Sequence, residues 1–145
     1  MVKDNATSRS VQLERGTGQG DPMSPALFNA VLEKAIGTLK HKWEERKFGI
    51  QPSDGKPGSL LNLRFADDML LIGKTRCEIV SMLGDLMREV QRAGLELHMG
   101  KTTTLTNGRG KHYKSKHVTV CNCKIEILPP WMRTAYLRKS FCLDW

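Results

Sequence analysis

The sequence predicts an α+β fold within 145 residues, and three observations carry the prediction. Apolar residues recur at three- and four-residue steps over 25–43 and again over 79–90, which is the spacing of one helix face. Around and between these stretches they alternate singly with polar residues, which is strand spacing. Segments rich in glycine and proline separate the periodic runs. The expected order is strand, helix, hairpin, helix, strand.

Residues 1–10 are polar and are expected to be an unstructured N-terminus. Val11, Leu13 and Arg15 alternate with Gln12 and Glu14 as a short strand entering Gly16-Thr17-Gly18-Gln19-Gly20-Asp21-Pro22. That loop lacks the Lys-Ser/Thr ending of a phosphate-binding P-loop and the spacing of a dinucleotide fingerprint. Ser24 is placed to cap a helix whose first residue is Pro25. Phe28, Leu32, Ala35, Leu39 and Trp43 give it an apolar face of about six turns, with a stop near Gly49.

Residues 51–59 carry two prolines and two glycines and read as a loop. Leu61, Leu63 and Phe65 then alternate with Asn62, Arg64 and Ala66 as one strand, and residues 69–72 form a second. Ala66-Asp67-Asp68 is the expected turn, with aspartate tolerating the left-handed angles that a tight hairpin requires. Next, Thr75-Arg76-Cys77-Glu78 has capping-box form. Ile79, Leu83, Leu86 and Val90 continue as a core-facing stripe, and Gly94 ends the helix. Leu95, Leu97 and Met99 predict a strand that arrives at Lys101. Val118 and Val120, then Ile125 and Ile127, predict a second hairpin before Pro129-Pro130.

The net charge is +8, of which residues 1–100 contribute +1 and residues 101–145 contribute +7. Its densest part is Arg109-Gly110-Lys111-His112-Tyr113-Lys114-Ser115-Lys116-His117. Such a strip either keeps a loop solvated or contacts a nucleic-acid backbone. No run approaches the ~20 apolar residues of a membrane span. The expectation is an intracellular chain, nuclear or cytoplasmic rather than secreted, with reduced cysteines and no membrane partner. His112, His117, Cys121 and Cys123 match no usual zinc spacing.

Asp67 and Asp68 admit two readings on their own residues, a plain acidic turn or a Mg²⁺ site. Adjacent carboxylates repel, and a hard cation that takes its other ligands from water and substrate phosphate relieves the repulsion.

Three separated blocks coincide with one family. Arg15-Gly16-Thr17-Gly18-Gln19-Gly20-Asp21-Pro22-Met23-Ser24-Pro25-Ala26-Leu27-Phe28-Asn29 resembles the RG-x-x-QGDPLSP-x-LFN block of reverse transcriptases. Phe65-Ala66-Asp67-Asp68 resembles their FADD/YADD box. Ala93-Gly94-Leu95-Glu96-Leu97-His98-Met99-Gly100-Lys101-Thr102 resembles their AGLxLNxxKT block. Phe65 and Ala66 place the likeness in the non-LTR, LINE-type retrotransposon branch. Tyr136-Leu137 is more loosely similar to the YLG turn of the primer grip. His98 stands in place of an asparagine, Gly18 in place of a commonly basic residue, and Arg138 in place of the YLG glycine.

The resemblance implies an incomplete, ferredoxin-like polymerase palm over 11–106, without fingers or thumb. Over 107–145 it implies a basic C-terminal segment with a primer-grip-like hairpin. It also implies RNA-directed DNA synthesis, in which a primer 3′-hydroxyl attacks the α-phosphate of a dNTP and two Mg²⁺ ions assist. The implied partners are an RNA template, a DNA primer and dNTP. Asp67 and Asp68 would be the metal ligands, with Asp67 the principal one, and Lys101 would sit near the departing pyrophosphate. Gln19, Gly20, Asp21, Pro22 and Phe65 would border nucleotide, template and primer. Arg109, Lys111, Lys114 and Lys116 are the candidate backbone contacts. The family's upstream metal-binding aspartate has no counterpart around Asp4, the sole acid before Glu14. The 145 residues alone are therefore expected to be inactive as a polymerase. A non-catalytic nucleic-acid-binding remnant is the alternative reading.

Overall fold

The computed structural model describes residues 22–53, 58–107, 116–130, 132, 134–136 and 139–141. The strand expected over 11–15 lies outside them. The architecture is mixed helix and sheet. Helix α1 (Ser24–Glu45) is followed by strands β1 (Asn62–Phe65) and β2 (Asp68–Leu71), then helix α2 (Arg76–Arg92). A 3-10 turn (Met99–Lys101) leads to β3 (Thr103–Leu105), β4 (His117–Val120) and β5 (Cys123–Leu128). Strands β6 (Thr134–Tyr136) and β7 (Lys139–Phe141) end the described chain.

α1 starts one residue earlier than its sequence signals predict. Met23 already has helical dihedrals (φ −84°, ψ −20°), and its carbonyl accepts from the Leu27 amide at 3.0 Å. Ser24 is thus the first helical residue and not the cap, and Pro25 follows it in the first turn, where its missing N–H costs nothing. Leu32, Ala35, Ile36, Leu39 and Trp43 are buried along one face, with Phe28 packed at its edge. The helix stops at Glu45, before Gly49, because Lys47 turns left-handed (φ 57°). Gly49 has φ 81° and sits under the next segment, where a Cβ would lie 2.6 Å from the Leu60 carbonyl oxygen. Ile50 and Leu60 then exchange backbone hydrogen bonds of 3.1 and 2.8 Å, closing the loop expected over 51–59.

α2 is capped as its sequence predicts, but by half a box. The Thr75 hydroxyl accepts from the Glu78 amide at 3.2 Å. Glu78 Oε2, however, accepts from the amides of Lys74 (3.0 Å) and Gly49 (3.3 Å), so this carboxylate joins the start of α2 to the exit of α1. Met82, Leu83, Leu86 and Val90 are buried, and Gly94 (φ 78°) ends the helix.

The strand expected over 95–99 does not form. Leu95, Leu97 and Met99 remain half-buried against the core while Glu96, His98 and Gly100 are exposed, so the alternation is real. What is missing among the described residues is a ladder partner. Both edges of β5 are already taken, by β3 in parallel and β4 antiparallel, giving the sheet order β3-β5-β4.

β4 and β5 form the second expected hairpin. Its two-residue turn is Cys121 and Asn122, both at positive φ (46° and 65°), the signature of the turn that matches strand twist. Val118, Val120 and Ile125 join the core of α1 and α2 in one cluster. Complete burial of Ile36, Met82 and Ile125 stabilises the fold by about 1.5–3 kcal/mol each. The last hairpin, β6–β7, closes at the pair Tyr136–Lys139, which brackets the YLG-like residues; Leu137 and Arg138 lie outside the described residues.

Candidate catalytic hairpin

Strands β1 and β2 pair antiparallel in the register Asn62–Leu71, Leu63–Leu70, Arg64–Met69 and Phe65–Asp68. The turn is therefore Ala66 and Asp67 alone, and Asp68 is the first residue of β2 rather than part of the turn. The left-handed angle also falls elsewhere than expected, on Ala66 (φ 52°) and on neither aspartate.

Directly paired residues share a face of the ribbon. One face carries Asn62, Arg64, Met69 and Leu71, of which Met69 and Leu71 pack on the core. The other carries Leu63, Phe65, Asp68 and Leu70, and on it Phe65 is 66% exposed. Leu61 is buried at the base of the hairpin, beside Gly49, but toward the tip Met69 and Leu71 supply the inward apolar atoms. Leu63 and Phe65 consequently face outward beside the aspartates.

Asp67 and Asp68 are both exposed at the tip. Two neighbouring carboxylates are a donor set that fits Mg²⁺ completed by water and phosphate oxygens. They are not a cage by themselves: among the described residues, no group of three or more His, Cys, Asp or Glu side chains gathers to hold a metal.

The other candidates are dispersed. Pro22 is exposed immediately before α1, while Gln19, Gly20 and Asp21 lie outside the described residues. Lys101 is exposed on the 3-10 turn, which packs on β5; among the described residues no substantial contact joins that turn to the β1–β2 hairpin. Lys116 is exposed, its carbonyl accepting from the Ile127 amide at 2.9 Å, and Arg109, Lys111 and Lys114 are outside the described residues.

Two features escaped sequence reasoning. Arg64 reaches from the inward face of β1 to Glu33 on α1, Nη2 to Oε2 at 2.5 Å. Asp85, on the apolar arc of α2, is buried under Lys42, Trp43 and Arg88. An acid within a core stripe was the available signal for Asp85. For the Arg64–Glu33 pair, separated by 31 residues, there was none.

The profile of the family described as "Reverse transcriptase (RNA-dependent DNA polymerase)" matches residues 1–126. A "Retrovirus-related Pol polyprotein from type-1 retrotransposable element R2" of Nasonia vitripennis is 33% identical over 123 residues, covering 81% of this chain and 11% of that protein. A protein of the same description from Popillia japonica is 26% identical over 113 residues, covering 73% of this chain and 16% of its own length. The "type-2 retrotransposable element R2DM" polyprotein of Drosophila melanogaster is 31% identical over 106 residues, covering 70% and 9%. The chain thus spans between about a tenth and a sixth of the length of these relatives. No solved structure matches.

Proposed function

Since the chain belongs to the reverse transcriptase family, in its non-LTR retrotransposon branch, we propose that it is part of the palm of an RNA-directed DNA polymerase, with the β1–β2 tip as its metal-carrying element. The observation that carries this is the placement of Asp67 in a two-residue turn and Asp68 at the first position of β2, both exposed. Asp67 and Asp68 would hold Mg²⁺, which when bound supplies activation of the attacking 3′-hydroxyl and charge neutralisation at the phosphate. Phe65, on the same face as Asp68 and largely exposed, offers an apolar surface beside the primer end. The 19–22 segment, directly ahead of α1, would border nucleotide and template. Lys101 would sit near the pyrophosphate, stabilising charge or supplying a proton. Residues 107–145 would form a basic segment whose β4–β5 hairpin packs into the shared core, with β6–β7 in the place of the primer grip.

On this reading the 145 residues alone do not catalyse polymerisation, because two carboxylates hold the ions weakly and out of position. Groups that act as a unit lose on the order of 10⁴-fold or more when one is removed. The test is dNTP incorporation on a primed RNA template with Mg²⁺. Background-level incorporation is expected, and primer-dependent activity that disappears in Asp67→Ala overturns the inactivity.

A second reading, a nucleic-acid-binding remnant without chemistry, is favoured by the +7 charge of residues 101–145 and the exposure of Lys116. It requires that RNA affinity fall steeply with salt, and that neutralising Arg109, Lys111, Lys114 and Lys116 flatten that dependence. Unchanged affinity after neutralisation removes this reading.

A further inference from the structure

We propose that Arg64 is a positioning residue for the aspartate turn: through Glu33 it fixes the angle of the β1–β2 hairpin on α1. It thereby sets the carboxylates of Asp67 and Asp68 relative to the helix start where the 19–22 segment ends. The proposal rests on the palm reading above.

Three observations carry it. Arg64 stands three residues before Asp67, on the inward face opposite Met69, and its side chain is only 20% exposed. One prong of its guanidinium, Nη2, is bonded to Glu33, whose own side chain is 59% exposed on α1. The other prong, Nη1, is fully buried and has no hydrogen-bond partner among the described residues. A guanidinium is planar and rigid, so one anchored prong on a packed stem holds the strand at a defined angle, which a flexible ammonium does not.

The unpartnered nitrogen argues against a stabilising role. Leaving a buried donor unsatisfied is destabilising, and apolar replacements of half-buried ion pairs are often neutral or stabilising. An Arg64–Glu33 pair is therefore a poor way to hold two elements together. It is a good way to fix their relative orientation.

The test uses the full chain. Arg64→Met is expected to keep or raise the thermal midpoint while changing the residual dipolar couplings of the β1–β2 amides relative to those of α1. Glu33→Gln, which alters an exposed side chain, is expected to shift the same couplings in the same direction and answers the question if Arg64→Met fails to fold. Exchanging the charges, Glu33→Arg with Arg64→Glu, is expected to bring the couplings back toward the parent values. Unchanged couplings in both single variants overturn the proposal, as does a thermal midpoint that falls in Arg64→Met while the couplings stay fixed.

Mn²⁺-induced broadening of the Asp67 and Asp68 amides separates this from the metal reading. Arg64→Met is expected to weaken Mn²⁺ binding by about fivefold, a change of about 1 kcal/mol. Broadening that persists unchanged in Asp67→Ala sinks the metal assignment, whereas the couplings still decide the role of Arg64.

Discussion

Asp85 is the residue on which the two helices meet. It is 4% exposed and accepts from Lys42 Nζ at 2.8 Å, Trp43 Nε1 at 3.2 Å and Arg88 Nη2, with Arg46 3.8 Å away. Burial pushes its carboxyl up, but the hydrogen bonds from Lys42, Trp43 and Arg88 and the charge of Lys42 outweigh it and hold the group below its ordinary value. Asp85→Ala strands the buried Trp43 indole N–H, while the three cations can turn to solvent. The expected loss is about 2–3 kcal/mol, read as a lower urea midpoint at constant slope. Because the folded pKa lies below the unfolded value of about 3.9, this contribution is complete above that pH and is lost as pH falls through the folded pKa. The stability gap between parent and variant should be flat from about pH 5 to 8 and narrow below about pH 4. A gap that widens on acidification contradicts the assignment.

At the scale of elements, two glycines do opposite work. Gly49 combines a left-handed backbone with a Leu60 carbonyl 2.6 Å from where a Cβ would stand, so Gly49→Ala is expected to cost at least about 2 kcal/mol. Gly84 faces Val120 Cγ1 at 3.7 Å and Cys121 Sγ at 3.9 Å, which are ordinary contacts for a methyl group. Gly84→Ala should then raise stability by about 0.5–1 kcal/mol through helix propensity, checked by thermal melting. The two helices, both hairpins and the end of α2 at Gly94 were legible in the sequence because each rests on a local signal: a periodic stripe, a Thr cap, a glycine. The unpaired segment 95–99 was not, since alternation reports which side is buried but not whether a neighbouring strand exists. Which face of the β1–β2 tip is covered was not legible for a related reason. Leu63 and Phe65 are as apolar as Met69 and Leu71, and only packing on α1 and α2 selects between them.

Over the whole molecule, α1 carries an apolar flank in its first half that the core does not use. Met23, Leu27 and Val31, at four-residue steps, are all exposed, as are Leu63 and Phe65 on the hairpin. Exposed apolar surface of this kind drives association. Replacing Leu27 and Val31 together by glutamine should leave the melting temperature nearly unchanged, since surface substitutions fall within about 0.5 kcal/mol. It should also reduce concentration-dependent self-association in sedimentation velocity. A large loss of stability would show instead that the flank is part of the core.

What the sequence determined by itself is the family, the two helices and the β1–β2 and β4–β5 hairpins. Motif residues are contiguous along the chain, and helix and strand periods are properties of neighbouring positions, so neither needs the third dimension. What only the tertiary structure decided is how those elements meet: the turn angle on Ala66, the outward face of Phe65, the buried Asp85 and the Arg64–Glu33 contact. Each of these depends on partners tens of residues away, chosen by which apolar surface is covered and which charge is thereby buried.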